Sequence, residues 1–180
     1  MEKRTVLFVD DEEKILKSLK RGFIDEPYDN LFANSAKEAL EILKNNQVQV
    51  LVTDMRMPEI SGLELLEITK DKYPHIIRIV LSGYADTETL LASINHGEIF
   101  RFIAKPWKLE AELKTIVRQA IEFYDLHNER EMLLTFFELW IEGLEPESIN
   151  LEFLKELVST RKKHLYEWKK SCDSVLLNSK

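Results

Sequence analysis

Cysteine is almost missing from this chain: Cys172 stands alone. One thiol can form neither an internal disulfide nor a cysteine-based zinc site, so a reducing cytoplasm is the expected home. Glycine and proline are scarce, five of each in 180 residues, which argues against low complexity and disorder. No apolar run reaches the ~18 residues of a membrane helix. The acidic block Asp10-Asp11-Glu12-Glu13 comes too early to leave room for a signal peptide's apolar core. Basic residues are outnumbered 25 to 32, and the net charge of −7 disfavours nonspecific nucleic-acid binding by the whole chain. No strand-to-helix turn carries Gly-x-Gly-x-x-Gly or Gly-Lys-Ser/Thr, so no backbone phosphate cradle is visible.

What is present is organised around Val48 to Gly62. An aliphatic run ends at one carboxylate, Asp54, and Pro58 and Gly62 shape the turn that follows. Similar strands are expected over Thr5–Val9, Tyr28–Ala33, Ile76–Leu81 and Ile99–Ala104. Between them lie amphipathic segments: Glu12 to about Ile24, a helix capped by Asn34 or Ser35, another from Ser61 to before Pro74, and a fourth over about 86–95. Strands alternating with helices imply an α/β fold with a parallel sheet covered on both faces. Ligands of such sheets bind beyond the carboxyl ends of the strands.

Those ends carry Asp10-Asp11, Asp54, Ser82 and Lys105. Singly, each has a bland explanation: a helix start, a loop acid, a turn hydroxyl, a surface lysine. Together, at the ends of four strands, they read as a site. Converging carboxylates repel one another, and a hard divalent cation such as Mg2+ relieves the repulsion. The chemistry this suggests is attack by Asp54 on a phosphoryl donor, with the metal and an ammonium neutralising charge on the transferred group. Asp11 and Asp54 are then the expected metal ligands, with Asp10 touching the ion or one layer behind it. Ser82 and Lys105 would hold phosphoryl oxygens. A Mg-dependent phosphatase is a competing reading, but it wants an Asp-x-Asp after the first strand, and here the two acids are adjacent.

Val9-Asp10-Asp11-Glu12, Asp54-Met-Arg-Met-Pro58 with Gly62, Ser82-Gly83-Tyr84 and Lys105-Pro106 resemble the receiver domain of two-component response regulators over about residues 4–125. The resemblance implies a flavodoxin-like, doubly wound five-stranded sheet of order 2-1-3-4-5 and phosphorylation of Asp54 by a histidine kinase. It also implies a Mg2+ site of Asp11, Asp54 and the Arg56 backbone carbonyl, assisted by Asp10, and a cis peptide before Pro106. As switch residues it implies Ser82 and Phe102, read out on the face of the fourth helix, fifth strand and fifth helix. Arg56 and Tyr84, each two residues beyond a site residue, either hinder the hydrolytic water or belong to a partner surface. Asn95 to Trp107 resembles receivers joined to HD-GYP-type phosphodiesterases. No His-Asp pair or Gly-Tyr-Pro follows here, so that activity is not implied.

The expected division is a receiver over 1–125 and a helical extension over 126–180. Leu109 to Tyr124 form one apolar stripe, and Leu133, Phe137, Trp140 and Leu144 continue it as though the fifth helix ran on. Gly143-Leu-Glu-Pro146 is a break, and Leu151 to Val175 repeat at heptad-like spacing, which reads as an αα-hairpin. An isolated hairpin leaves apolar surface uncovered, so a homodimer through the tail or the switch face is expected. The basic residues Arg161-Lys-Lys-His164 and Lys169-Lys170 read as a solvated helix face, and no helix-turn-helix is visible. Open alternatives are an effector beyond residue 180, or a DNA-binding or phosphotransfer role of the tail through His127 or His164.

Overall fold

The computed structural model describes residues 3–83 and 99–141. The expected fourth helix, Tyr84 and the hairpin beyond residue 141 lie outside the described residues. The chain divides into two compact units, Met1–Asn128 and Glu129–Lys180. Of the second, residues 129–141 are described, and they are helical.

In the first unit, five strands form one parallel sheet in the order β2-β1-β3-β4-β5. They are β1 (Thr5–Val9), β2 (Asp29–Ala33), β3 (Val50–Asp54), β4 (Ile77–Ser82) and β5 (Arg101–Ala104). The helices described are α1 (Glu13–Gly22), α2 (Ala36–Asn45), α3 (Gly62–Lys72) and a 28-residue helix, Lys114–Ile141. The order matches the expectation. Strand ends shift slightly: the third and fourth strands, expected over Val48–Thr53 and Ile76–Leu81, each end one residue later, so Asp54 and Ser82 are the last residues of β3 and β4.

Alternation along the strands builds a core on each side of the sheet. Leu7, Val9, Leu51 and Val80 point to one side, where Ala36, Ala39 and Leu43 of α2 and Leu65 and Leu66 of α3 cover them. Val6, Phe8, Val52, Ile79 and Ile103 point to the other, against Leu19, Phe23, Leu113, Val117 and Ala120. Phe8 anchors that second side, 4.7 Å from Phe23 and 5.4 Å from Phe32 between ring centres.

Local signals explain where the helices begin. The Ser35 hydroxyl accepts the Glu38 N–H at 3.3 Å, while the Glu38 carboxylate accepts the Asn34 N–H at 2.7 Å. At α3, Ser61 and Glu64 form a full capping box. The long helix starts differently: Leu109–Leu113 is a π-helical turn, with the Leu113 N–H reaching back to the Lys108 carbonyl at 3.3 Å. Sequence periodicity does not reveal that widened turn. Farther along, Arg118 donates two hydrogen bonds to the buried Glu26 carboxylate, at 2.7 and 2.9 Å, and Lys114 approaches it at 3.6 Å.

Candidate functional site

β1, β3, β4 and β5 all end at one edge of the sheet, and each delivers a polar residue there or just beyond it: Asp10, Asp54, Ser82 and Lys105. Asp54 is a strand residue, with only 6% of its surface exposed. Its main chain is held closely. The Met55 N–H donates to the Leu81 carbonyl at 3.1 Å, and the Thr53 hydroxyl donates to the Asp54 carbonyl at 2.9 Å. α3 begins against the same carbonyl: a Cβ on Gly62 would lie 2.0 Å from the Asp54 oxygen, a close approach that only glycine allows. This accounts for the glycine eight residues after the acid.

The Asp54 side chain is divided between two donors. Its Oδ2 accepts the Arg56 N–H at 2.9 Å, and its Oδ1 pairs with the Lys105 ammonium at 2.5 Å. Lys105 also reaches Asp10 Oδ2 at 3.1 Å, while Asp10 Oδ1 accepts the Glu12 N–H at 2.9 Å. One ammonium therefore bridges the two inner carboxylates. Its backbone N–H donates to the Ser82 carbonyl at 2.7 Å, which ties β5 to β4 at the site. The peptide between Lys105 and Pro106 is cis, as the resemblance implies.

The Asp10 carboxyl is pushed above the usual carboxylate range chiefly by burial, and the charge of Asp54 is the smallest contributor. For Asp10, repulsion by Asp54 is thus minor beside burial, and the Lys105 ammonium acts against both. For Lys105 itself burial acts downward, but the hydrogen bond to Asp54 and the charge of Asp10 outweigh it and the group is held above its ordinary value.

Asp11, Glu12, Asp54, Met55, Arg56, Ser82, Gly83 and Lys105 line a cavity of about 250 Å³ at this edge. Among the described residues no cluster of three or more acidic, histidine or cysteine side chains forms a ready-made metal cage. The lining instead offers three carboxylates, Asp11, Glu12 and Asp54, and Arg56 beside them. Carboxylate and carbonyl oxygens completed by water suit Mg2+, which keeps several waters and takes few protein ligands. The residues therefore fit the ion. Asp10 is fully buried, is not part of the lining, and has both oxygens engaged, which places it behind the cavity. A larger groove of about 360 Å³, between Leu43–Val48 and Tyr73–Ile76, has no carboxylate in its lining and lies at the amino ends of β3 and β4.

The site thus brings together Asp10, Asp54, Ser82, Lys105 and the main chain of Arg56, with exposed Asp11 at the rim. The Ser82 hydroxyl donates to the Gly83 carbonyl at 3.1 Å. Phe102 is half-buried on β5 against the α2–α3 side of the core. One residue that sequence reasoning did not single out is Trp107, whose ring lies beneath the Lys105 ammonium at 5.7 Å to its centre. A tryptophan two residues beyond the lysine was the available signal.

Residues 6–118 match the family described as the response regulator receiver domain. The chain is 40% identical over 129 residues to the hydrogenase transcriptional regulatory protein HoxA of Cupriavidus necator, covering 72% of this chain and 26% of that protein. The chain therefore spans about a quarter of the length of the curated relatives it matches. Among solved structures, the signal receiver domain of an HD domain-containing protein from Pseudomonas fluorescens Pf-5 aligns with a TM-score of 0.65 at 34% identity, over 69% of this chain and 98% of that one. An adenylate cyclase structure from Rhodopirellula baltica aligns with a TM-score of 0.71 at 30% identity, over 74% of this chain and 98% of that one. With its sheet order, its acid and lysine at the strand ends and this match over residues 6–118, the chain belongs to the response regulator receiver family.

Proposed function

We propose that Asp54 is a phosphoacceptor and that the chain is the receiving partner of a histidine kinase. The observation that carries this reading is the Lys105 ammonium held 2.5 Å from Asp54 at the mouth of an acid-lined cavity. A carboxylate oxygen of Asp54 attacks phosphorus as the bond to the donor's imidazole nitrogen breaks, and the imidazole leaves with that electron pair. Lys105 faces the equatorial oxygens and offsets their charge, and the Ser82 hydroxyl is the neutral donor on the neighbouring strand. Asp11, Asp54 and the Arg56 carbonyl are the groups that would hold Mg2+, and a bound Mg2+ supplies further charge neutralisation. Asp10 fixes Lys105 from behind.

Phosphorylation replaces the single carboxylate charge that Lys105 now pairs with by a phosphoryl group carrying about 1.5 to 2 negative charges and three strong acceptor oxygens. We read Ser82 and Phe102 as the residues that respond, and the face around β5 as the surface that changes. Output runs through dimerisation or partner binding by the segment beyond the receiver. Exposed apolar side chains support that reading: Phe123 and Leu126 in the first unit, Leu134 and Phe137 in the described part of the second.

The test is labelling of the full chain by a cognate kinase or a small-molecule phosphodonor in Mg2+. Wild type should take label, Asp54→Asn should not, and chelation of Mg2+ should abolish labelling of wild type. Wild-type labelling of Asp54→Asn would falsify the assignment.

A further inference from the structure

The Lys105 ammonium has three close neighbours: Asp54 at 2.5 Å, Asp10 at 3.1 Å and the Trp107 ring at 5.7 Å to its centre. The two acids are the expected partners of that lysine, whereas the indole is an additional one. Trp107 is half-buried and packs against the core on the α1 side of the sheet, so the ring is supported from behind. An aromatic face carries partial negative charge and attracts a cation, most strongly for tryptophan. A lysine head group is compact, strongly hydrated and carried on a flexible stem, so without a third wall it can swing toward water. The Lys105 side chain is only 24% exposed, and its ammonium lies over the face of the Trp107 ring.

We propose that Trp107 is a positioning residue for phosphoryl transfer to Asp54: its ring face holds the Lys105 ammonium at the cavity mouth before the phosphoryl oxygens arrive. This rests on the phosphoacceptor reading of Asp54. A purely structural tryptophan would serve the core by its bulk alone, and leucine would replace much of that service. A positioning tryptophan acts through Lys105, so its effect disappears when the ammonium is gone.

The experiment follows labelling of the full chain by acetyl phosphate and Mg2+ in wild type, Trp107→Phe and Trp107→Leu, each also made in a Lys105→Met background. Trp107→Leu is expected to slow labelling about threefold to tenfold, the scale of one cation–π contact, and Trp107→Phe to recover part of the loss. In the Lys105→Met background, with longer incubation, Trp107→Leu should have almost no further effect. An equal loss in that background overturns the proposal, and so does a wild-type rate for Trp107→Leu. NMR supplies a readout independent of phosphorylation: the Lys105 ε-methylene protons should be shifted upfield by the indole ring current and return to ordinary values in Trp107→Leu. If wild type shows that shift yet takes no label, the phosphoacceptor reading has failed and this proposal falls with it. If label is taken without dependence on Trp107, this proposal alone has failed.

Discussion

Gly62 and Gly83 border the same site under opposite steric conditions. A methyl group at Gly62 would meet the Asp54 carbonyl oxygen at 2.0 Å and Met55 Cα at 2.9 Å, main-chain atoms that cannot swing aside. At Gly83 an added Cβ meets nothing within 4 Å among the described residues. Gly62→Ala is therefore expected to destabilise the receiver by about 1–3 kcal/mol, the usual cost of overpacking, and to reduce labelling of Asp54. Gly83→Ala should melt close to wild type. Thermal unfolding of the pair decides the matter, since equal melting temperatures would remove the steric role of Gly62. Asp54 and Lys105 were legible in the sequence because single polar residues close aliphatic strands. The bridge that Lys105 makes between Asp10 and Asp54 was not, because it joins residues 95 positions apart.

At the scale of elements, the start of α3 rests on the Ser61–Glu64 capping box. Ser61→Ala removes the acceptor for the Glu64 N–H and is expected to cost about 1 kcal/mol in denaturant unfolding. The segment between α1 and β2 is fastened to the long helix by Glu26, whose side chain is 2% exposed and takes both hydrogen bonds from Arg118. Those bonds hold the Glu26 carboxyl below its ordinary value, against the opposing effect of burial. A lowered folded-state pKa means stability that is present above the unfolded value near 4.5 and is lost as pH falls through the folded value. Glu26→Gln should thus be less stable than wild type at neutral pH, by about 1–3 kcal/mol. The gap should narrow as pH drops below 4.5. A gap that stays constant down to pH ~3 would contradict that linkage. Strand order and helix placement could be read from alternation and caps, which are local. The Glu26–Arg118 pair could not, because a lone glutamate in a loop and an arginine 92 residues later share no pattern. The π-helical turn escaped for a related reason: Leu109 and Leu113 suit an ordinary helix equally well.

For the molecule as a whole, the two compact units divide the questions that can be asked. Within the first, the long helix is secured by Glu26 and by Arg4, which donates to Asp125 at 2.8 Å and lies 5.5 Å over the Tyr124 ring. Within the second, Leu134 and Phe137 are about half exposed, at 47% and 52%. If the output is self-association, Leu134→Ser with Phe137→Ser should shift the mass seen by light scattering toward monomer, and beryllofluoride with Mg2+ should change the mass of wild type. A mass that ignores both treatments would leave partner binding as the output. No helix among the described residues is long and apolar enough to cross a membrane. The main chain of Asp54 is pinned from three directions, by Thr53, by the β4 partner of Met55 and by the face of Gly62. Behind the acid the backbone is therefore firmly held, while a Cβ on Gly83 beside it would meet none of the described residues within 4 Å. Charge gained at Asp54 is thus expected to act sideways, on Ser82 at the end of β4 and Lys105 just beyond β5, rather than back into β3.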